Sequence, residues 1–226
     1  MNKLILTSMI AIALSAGQAN AFGLGDLGGI AKSAVGGAKA DAAGKPSVSA
    51  GDLDSFLATA KEADGLITAS TDTLFKTMVP QKDVAAHNAK VLEANNIADP
   101  AKRAEMLQQL VAEQMARLSK VDWDKQSRET PKLLSAEQKA AMNTAIYNFT
   151  LGTLKDKELL TQSKGLIGAV RSNPLLLMRA GELTDVSSSI SNQLGTASSI
   201  VTGLPKMASA VGLGALPTSA GATAKK

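Results

Sequence analysis

A chain of 226 residues without cysteine has no disulfide, no thiolate metal ligand, no sulfur nucleophile and no thiol to carry a lipid. Its 24 Lys and Arg against 20 Asp and Glu give a net charge of +4; these charges are interspersed, which argues against the basic stripe of a nucleic-acid groove. Apolar residues make up 45% but aromatics only 3%, so a core must be assembled from Ala, Leu, Ile, Val and Met, the side chains of packed helices rather than of sheets.

The first 21 residues carry the three parts of a secretory signal: Lys3, an apolar run from Leu4 to Ala16, and the small-x-small end Ala19-Asn20-Ala21. Cleavage after Ala21 is expected to leave Phe22 first and a charge of +3. A run of about 13 apolar residues falls short of the roughly 20 needed to cross a bilayer, so no transmembrane anchor is expected to remain. Export without cysteine points to a bacterial periplasmic or secreted product rather than a small disulfide scaffold.

Residues 22–48 read as a Gly/Ala-rich flexible leader, with Gly23, Gly25, Gly28, Gly29, Gly36, Gly37 and Gly44 among sparse apolar residues. Gly23-Leu-Gly-Asp-Leu-Gly28 matches a dinucleotide-binding string, but no strand precedes it to enter a βαβ unit, so the match is compositional.

Residues 49–204 are expected to form an all-α, antiparallel bundle of about five helices. Ser49, with Asp52 three residues on, opens the first, and Leu53, Phe56, Leu57, Ala60, Ala63, Leu66, Ile67, Leu74, Phe75 and Met78 follow at helical spacing up to Pro80. A shorter segment with Val84 and Val91 runs to Asn95-Asn96. Asp99-Pro100 starts a third, with Ala104, Leu107, Val111, Met115, Leu118 and Val121 in one stripe. Periodicity lapses from Asp122 to Leu134, which predicts a connection.

Ser135-Ala-Glu-Gln138 is a capping box that opens a long helix through Met142, Ala145, Ile146, Phe149, Leu159 and Val170, with Gly165 and Gly168 expected to loosen its end. Asn173-Pro174 is expected to restart the last helix, whose Leu183, Val186, Ile190, Leu194, Ala197, Val201 and Leu204 step by three and four. Residues 205–226, with Gly212, Gly214, Pro217 and Gly221, read as a flexible C-terminal tail.

On this last helix Ser187, Ser191, Gly195, Ser199 and Gly203 recur every four residues. Such a row predicts a surface on which a neighbouring helix approaches closely, inside the bundle or from a partner. It is the one candidate interaction site; no catalytic, cofactor-binding or metal-binding residues are assigned.

His87 is the only histidine, so neither a second relay histidine nor a two-histidine metal site is available. It is expected to be a half-exposed helix residue. Trp123 is expected to pack beneath a loop at the end of the third helix. Asn148-Phe-Thr150 satisfies the glycosylation triplet within a predicted helix and carries no weight.

A non-enzymatic exported helical protein is therefore expected, acting by association with a protein partner or with itself. The alternative is a carrier or surface-binder of lipid or another apolar ligand, for which the Met and Leu stripes, including Leu175-Leu-Leu-Met178, and the apolar tails are the features. An enzyme of unknown type ranks third, because no convergent constellation is visible. No nucleic acid and no cofactor are expected.

Overall fold

The computed structural model describes residues 48–226. The expected signal peptide, the leader apart from Val48, and the Gly23 to Gly28 string lie outside the described residues. Those described form six α-helices with no strand among them: α1 (Ala50–Met78), α2 (Gln81–Asn95), α3 (Pro100–Leu118), α4 (Trp123–Glu129), α5 (Ala136–Ser172) and α6 (Ala180–Ala210). Short 3-10 turns lie at Thr130–Lys132 and Leu177–Arg179. No described helix is long and apolar enough to cross a membrane.

Local chemistry explains most of the starts. Ser49 and Ser135 both close capping boxes, with Asp52 and Gln138 respectively. The Asp99 carboxylate accepts from the backbone amides of Ala101 and Lys102, with Pro100 at the first helical position. Pro80 separates α1 from α2 as expected.

Four expectations are corrected. The connection 122–134 contains α4, a seven-residue helix capped by Asp122, too short for periodicity to reveal. Helix α5 runs straight through Gly165 and Gly168 to Ser172; both glycines face solvent, while Ser163 and Val170 on the buried side keep the helix packed. Asn173-Pro174 does not start α6. The Asn173 side chain instead accepts from the Leu175 amide to make a turn, and α6 begins at Ala180.

The fourth correction concerns residues 205–226, expected as a free tail. Helix α6 continues through Pro205 to Ala210. An interior proline costs about 3 kcal/mol, but Leu204, Met207 and Ala208 around it are buried in the core, and that burial offsets the cost. Gly212, at φ +78°, then reverses the chain, with the Leu213 amide donating to the Ala208 carbonyl at 2.8 Å. Beyond it the chain lies against α5. The Asn148 side chain both donates to the Lys225 carbonyl and accepts from its amide at 2.8 Å, and the Lys225 ammonium sits 4.5 Å from the Tyr147 ring centre. Leu213 and Pro217 are buried, so a few apolar residues among the glycines suffice to dock the segment.

The frame is an antiparallel pair, α1 with α5. Glu62 meets Lys155 at 3.3 Å, and the Val48 carbonyl meets the Asn173 amide group at the other end. Helix α6 packs on both and runs parallel to α1, pairing Asp54 with Arg179 and Asp64 with Gln193. The hairpin of α2 and α3 caps the far end, joined by Asp83 to Arg117 and Lys90 to Glu113.

Both long helices present a seam that advances by alternating threes and fours. On α1 it is Leu53, Phe56, Ala60, Ala63, Ile67, Ser70 and Leu74; on α5 it is Met142, Ala145, Phe149, Gly152, Asp156, Leu159 and Ser163, all buried. At its middle the seam is small on both sides. A Cβ on Gly152 would lie 2.7 Å from Ile67 Cγ1 and 3.0 Å from the Ala63 carbonyl oxygen, so only glycine allows the two helices this close.

Replacing Gly152 with Ala is therefore expected to destabilise the protein. Overpacking of about 1–3 kcal/mol outweighs the roughly 1 kcal/mol that alanine contributes as a better helix former. Gly195→Ala, in the same chain, meets nothing within 4 Å and should gain up to about 1 kcal/mol. Thermal or urea melts of the two variants should move in opposite directions.

Candidate functional site

The small-residue row of α6 does not form a single face. Four residues turn a helix by about 400°, so each step drifts about 40° and the row rotates by roughly 160° from Ser187 to Gly203. Ser187 is buried, its hydroxyl donating to the Leu183 carbonyl of its own helix. Ser191, Gly195 and Ser199 face solvent, and Gly203 is buried again. The middle of the row thus lies on an outward face without charge or bulk: from Val186 to Pro205 the helix carries no ionisable residue.

Of the two glycines in this row, a Cβ on Gly195 would meet nothing within 4 Å, whereas Gly203 packs closely. A Cβ there would overlap the indole of Trp123, which lies flat over the backbone of α6. Trp123 is buried, as expected, but as the first residue of α4 packed on α6 rather than beneath a loop; Asp122 caps α4 and Lys206 bridges to Asp124 at 2.6 Å. The other close-packing glycine, Gly152, was not singled out by composition. Its signal was its position in the three-four seam of α5.

His87 departs from the half-exposed reading. It is buried between α2 and α3, with its ring 5.1 Å from that of Phe75. Burial holds the imidazole below its ordinary range, against the opposing pull of the Asp72 and Glu113 carboxylates. A cavity of only about 20 Å³ lies beside it. A wider, open groove of about 320 Å³ runs past Met78, Val79, Pro80 and Val121, rimmed by Arg117 and Lys120.

Two features concentrate unusual chemistry. The first is the turn that joins α5 to α6. Leu176 is tucked into the core, while Leu175, Leu177 and Met178 stand 91%, 53% and 93% exposed. Asn173 ties this turn to the start of α1, and Arg179 anchors it by ion pairs to Asp54 at 2.7 Å and Glu182 at 3.2 Å. Three large apolar side chains are thus fixed in water at one end of the bundle.

The second is Asp156, at the centre of the α5 seam and 1% exposed, with neither carboxyl oxygen hydrogen-bonded. Burial, reinforced by the nearby Asp64 carboxylate, pushes its carboxyl up to about 7. Asp64, exposed at the edge of the layer, is itself raised by partial desolvation, an effect moderated by Gln193 of α6. Apolar periodicity does not mark Asp156; the signal the sequence carries for it is an acid on a seam position of an otherwise apolar stripe.

No protein-family model matches the chain, and no curated protein or solved structure is significantly similar to it.

If the indole rests on the Gly203 backbone, Gly203→Ala must displace it. The expected result is a loss of roughly 1–3 kcal/mol of stability, as for other overpacked sites. Because the chain has one tryptophan, its fluorescence reports the same event directly and should shift toward that of a water-exposed indole.

Proposed function

We propose that this chain is a non-enzymatic, exported protein of the bacterial envelope or its surroundings that works by docking a protein partner on the α5–α6 end of the bundle. The observation that carries the reading is the exposure of Leu175, Leu177 and Met178 in one anchored turn. Scattered apolar residues on a surface need no explanation, but three adjacent ones held out by a buried neighbour and two ion pairs form a small apolar patch of the kind used in recognition.

The neighbourhood favours a protein over a lipid surface. Asp54 and Glu182 flank the turn and outnumber the Arg179 they share by one charge, and a net negative cluster is repelled by the negative surface of anionic bilayers. An interior carrier of acyl chains would need an apolar cavity of several hundred Å³; the larger depression is an open groove with Asp83, Arg117, Lys120 and Asp122 on its rim. The non-catalytic part of the proposal is supported by the placement of His87 and Asp156, the two buried groups among those whose ionisation is shifted, inside packed helices on different parts of the bundle. Export rests on the tripartite start of the sequence, with its small-x-small end at Ala21.

Native mass spectrometry of the protein purified from its own host tests the reading. A stoichiometric protein complex is expected, and the double substitution Leu175→Ser with Met178→Ser should abolish it while leaving the melt within about 0.5 kcal/mol of the parent, as for exposed positions. A retained lipid in place of a protein, or a complex that survives the substitutions, contradicts it.

A further inference from the structure

The apolar core is divided in two. At the hairpin end, Ile67, Leu74 and Phe75 of α1 pack with Met142 and Phe149 of α5 and Ala197 to Met207 of α6. At the turn end, Leu53, Phe56 and Ala60 pack with Leu159, Val170, Leu183 and Ile190. Asp156 lies on α5 between Phe149 of the first cluster and Leu159 of the second, and Asp64 and Gln193 face each other from α1 and α6 at the same level. A polar layer therefore separates two independently packed ends of the same three helices.

We propose that Asp156 is a proton-operated latch: with its carboxyl neutral the α1, α5 and α6 segments of the turn end stay closed, and loss of that proton loosens this end while the hairpin end stays folded. An ionised carboxylate has no compensation available in that layer. Helix α1 presents a second acid, Asp64, and its Glu62 is already paired with Lys155 of α5. Helix α6 presents the neutral Gln193 within a stretch that has no ionisable residue from Val186 to Pro205. Both carboxyl oxygens are without a hydrogen bond, so the charge would be neither paired nor solvated. The small residues Ala60, Ala63 and Gly152 keep the layer tight, and admitting water to it requires the helices to part.

The direction of the pH dependence follows from linkage. When the turn end opens, Asp156 returns to an ordinary carboxyl and releases its proton above about pH 4. When it is closed, the proton is retained up to about pH 7. Opening is thus favoured progressively as pH rises from about 4 to 7, by at most about tenfold per pH unit for one proton, and levels off above that.

Hydrogen exchange of the full chain, corrected for intrinsic rates and followed by segment, tests the latch. Between pH 4 and 7 the opening constants of segments 50–60, 159–172 and 183–190 should rise by about two to three orders of magnitude relative to segments 67–78 and 197–207. Asp156→Asn, which keeps the shape without the titration, should abolish this difference. Asp64→Asn removes a charge that opposes ionisation and should move the plateau to lower pH, which keeps the idea testable if the first variant fails to fold. Equal slopes at both ends, or a slope that persists in Asp156→Asn, would overturn the proposal. The readout needs no partner, so its failure is separate from that of the association reading.

Discussion

The close approach of α1 and α5 at Gly152 is the constraint on which the rest of the molecule depends. Two helices of 29 and 37 residues run antiparallel, and at the middle of their shared seam the missing side chain of Gly152 sits on Ile67 and the backbone of Ala63. That contact sets the spacing of the pair, and the spacing sets the groove into which α6 packs along its Leu183, Ser187, Ile190, Ala197, Ile200 and Leu204 side. Because cores are packed nearly as densely as organic crystals, a change of one methyl group there is transmitted along both helices. Ion pairs contribute orientation more than stability: Lys90 with Glu113 and Arg117 with Asp83 sit half in water, where such pairs are worth about 0–1 kcal/mol.

The same narrow waist explains why Asp156 is so exceptional. Small residues on both helices draw the backbones together around a carboxyl group that finds no hydrogen bond, in a seam where every other position is apolar, small or a back-bonded hydroxyl. A single polar residue in such a seam commonly specifies register at a cost in stability. Here it also splits the core, so that the hairpin end, sealed by Trp123 on Gly203 and by the docked C-terminal residues, and the turn end, which carries the exposed Leu175, Leu177 and Met178, are packed separately. The sealed end and the end with the exposed apolar turn are thus opposite ends of one packing arrangement.

Much of this architecture was legible in the residues. The capping boxes at Ser49 and Ser135, the Asp99-Pro100 start and the apolar stripes of the long helices identify an all-α bundle, because each is a local interaction that needs no tertiary context. What sequence reading missed depends on tertiary contacts. Gly165 and Gly168 look like breakers until the opposite face of α5 is seen to be buried, and Pro205 looks like an end until Met207 and Ala208 are seen in the core. The row from Ser187 to Gly203 looked continuous as text, whereas helical drift turns its middle to solvent and buries its ends. Gly152 and Asp156 escape apolar periodicity for a related reason: the seam is defined by helical position, and neither residue is apolar and bulky.

The register of α1 against α5 can be measured without altering the protein. A zero-length carbodiimide reaction joins a lysine to a carboxylate only where the two are in direct contact, as Lys155 and Glu62 are at 3.3 Å. Peptide mapping of the cross-linked monomer should recover an amide between Lys155 and Glu62. Its absence, with Glu62 joined instead to Lys164 or to another lysine distant from this level of the bundle, would contradict the pairing of α1 with α5 on which the fold rests.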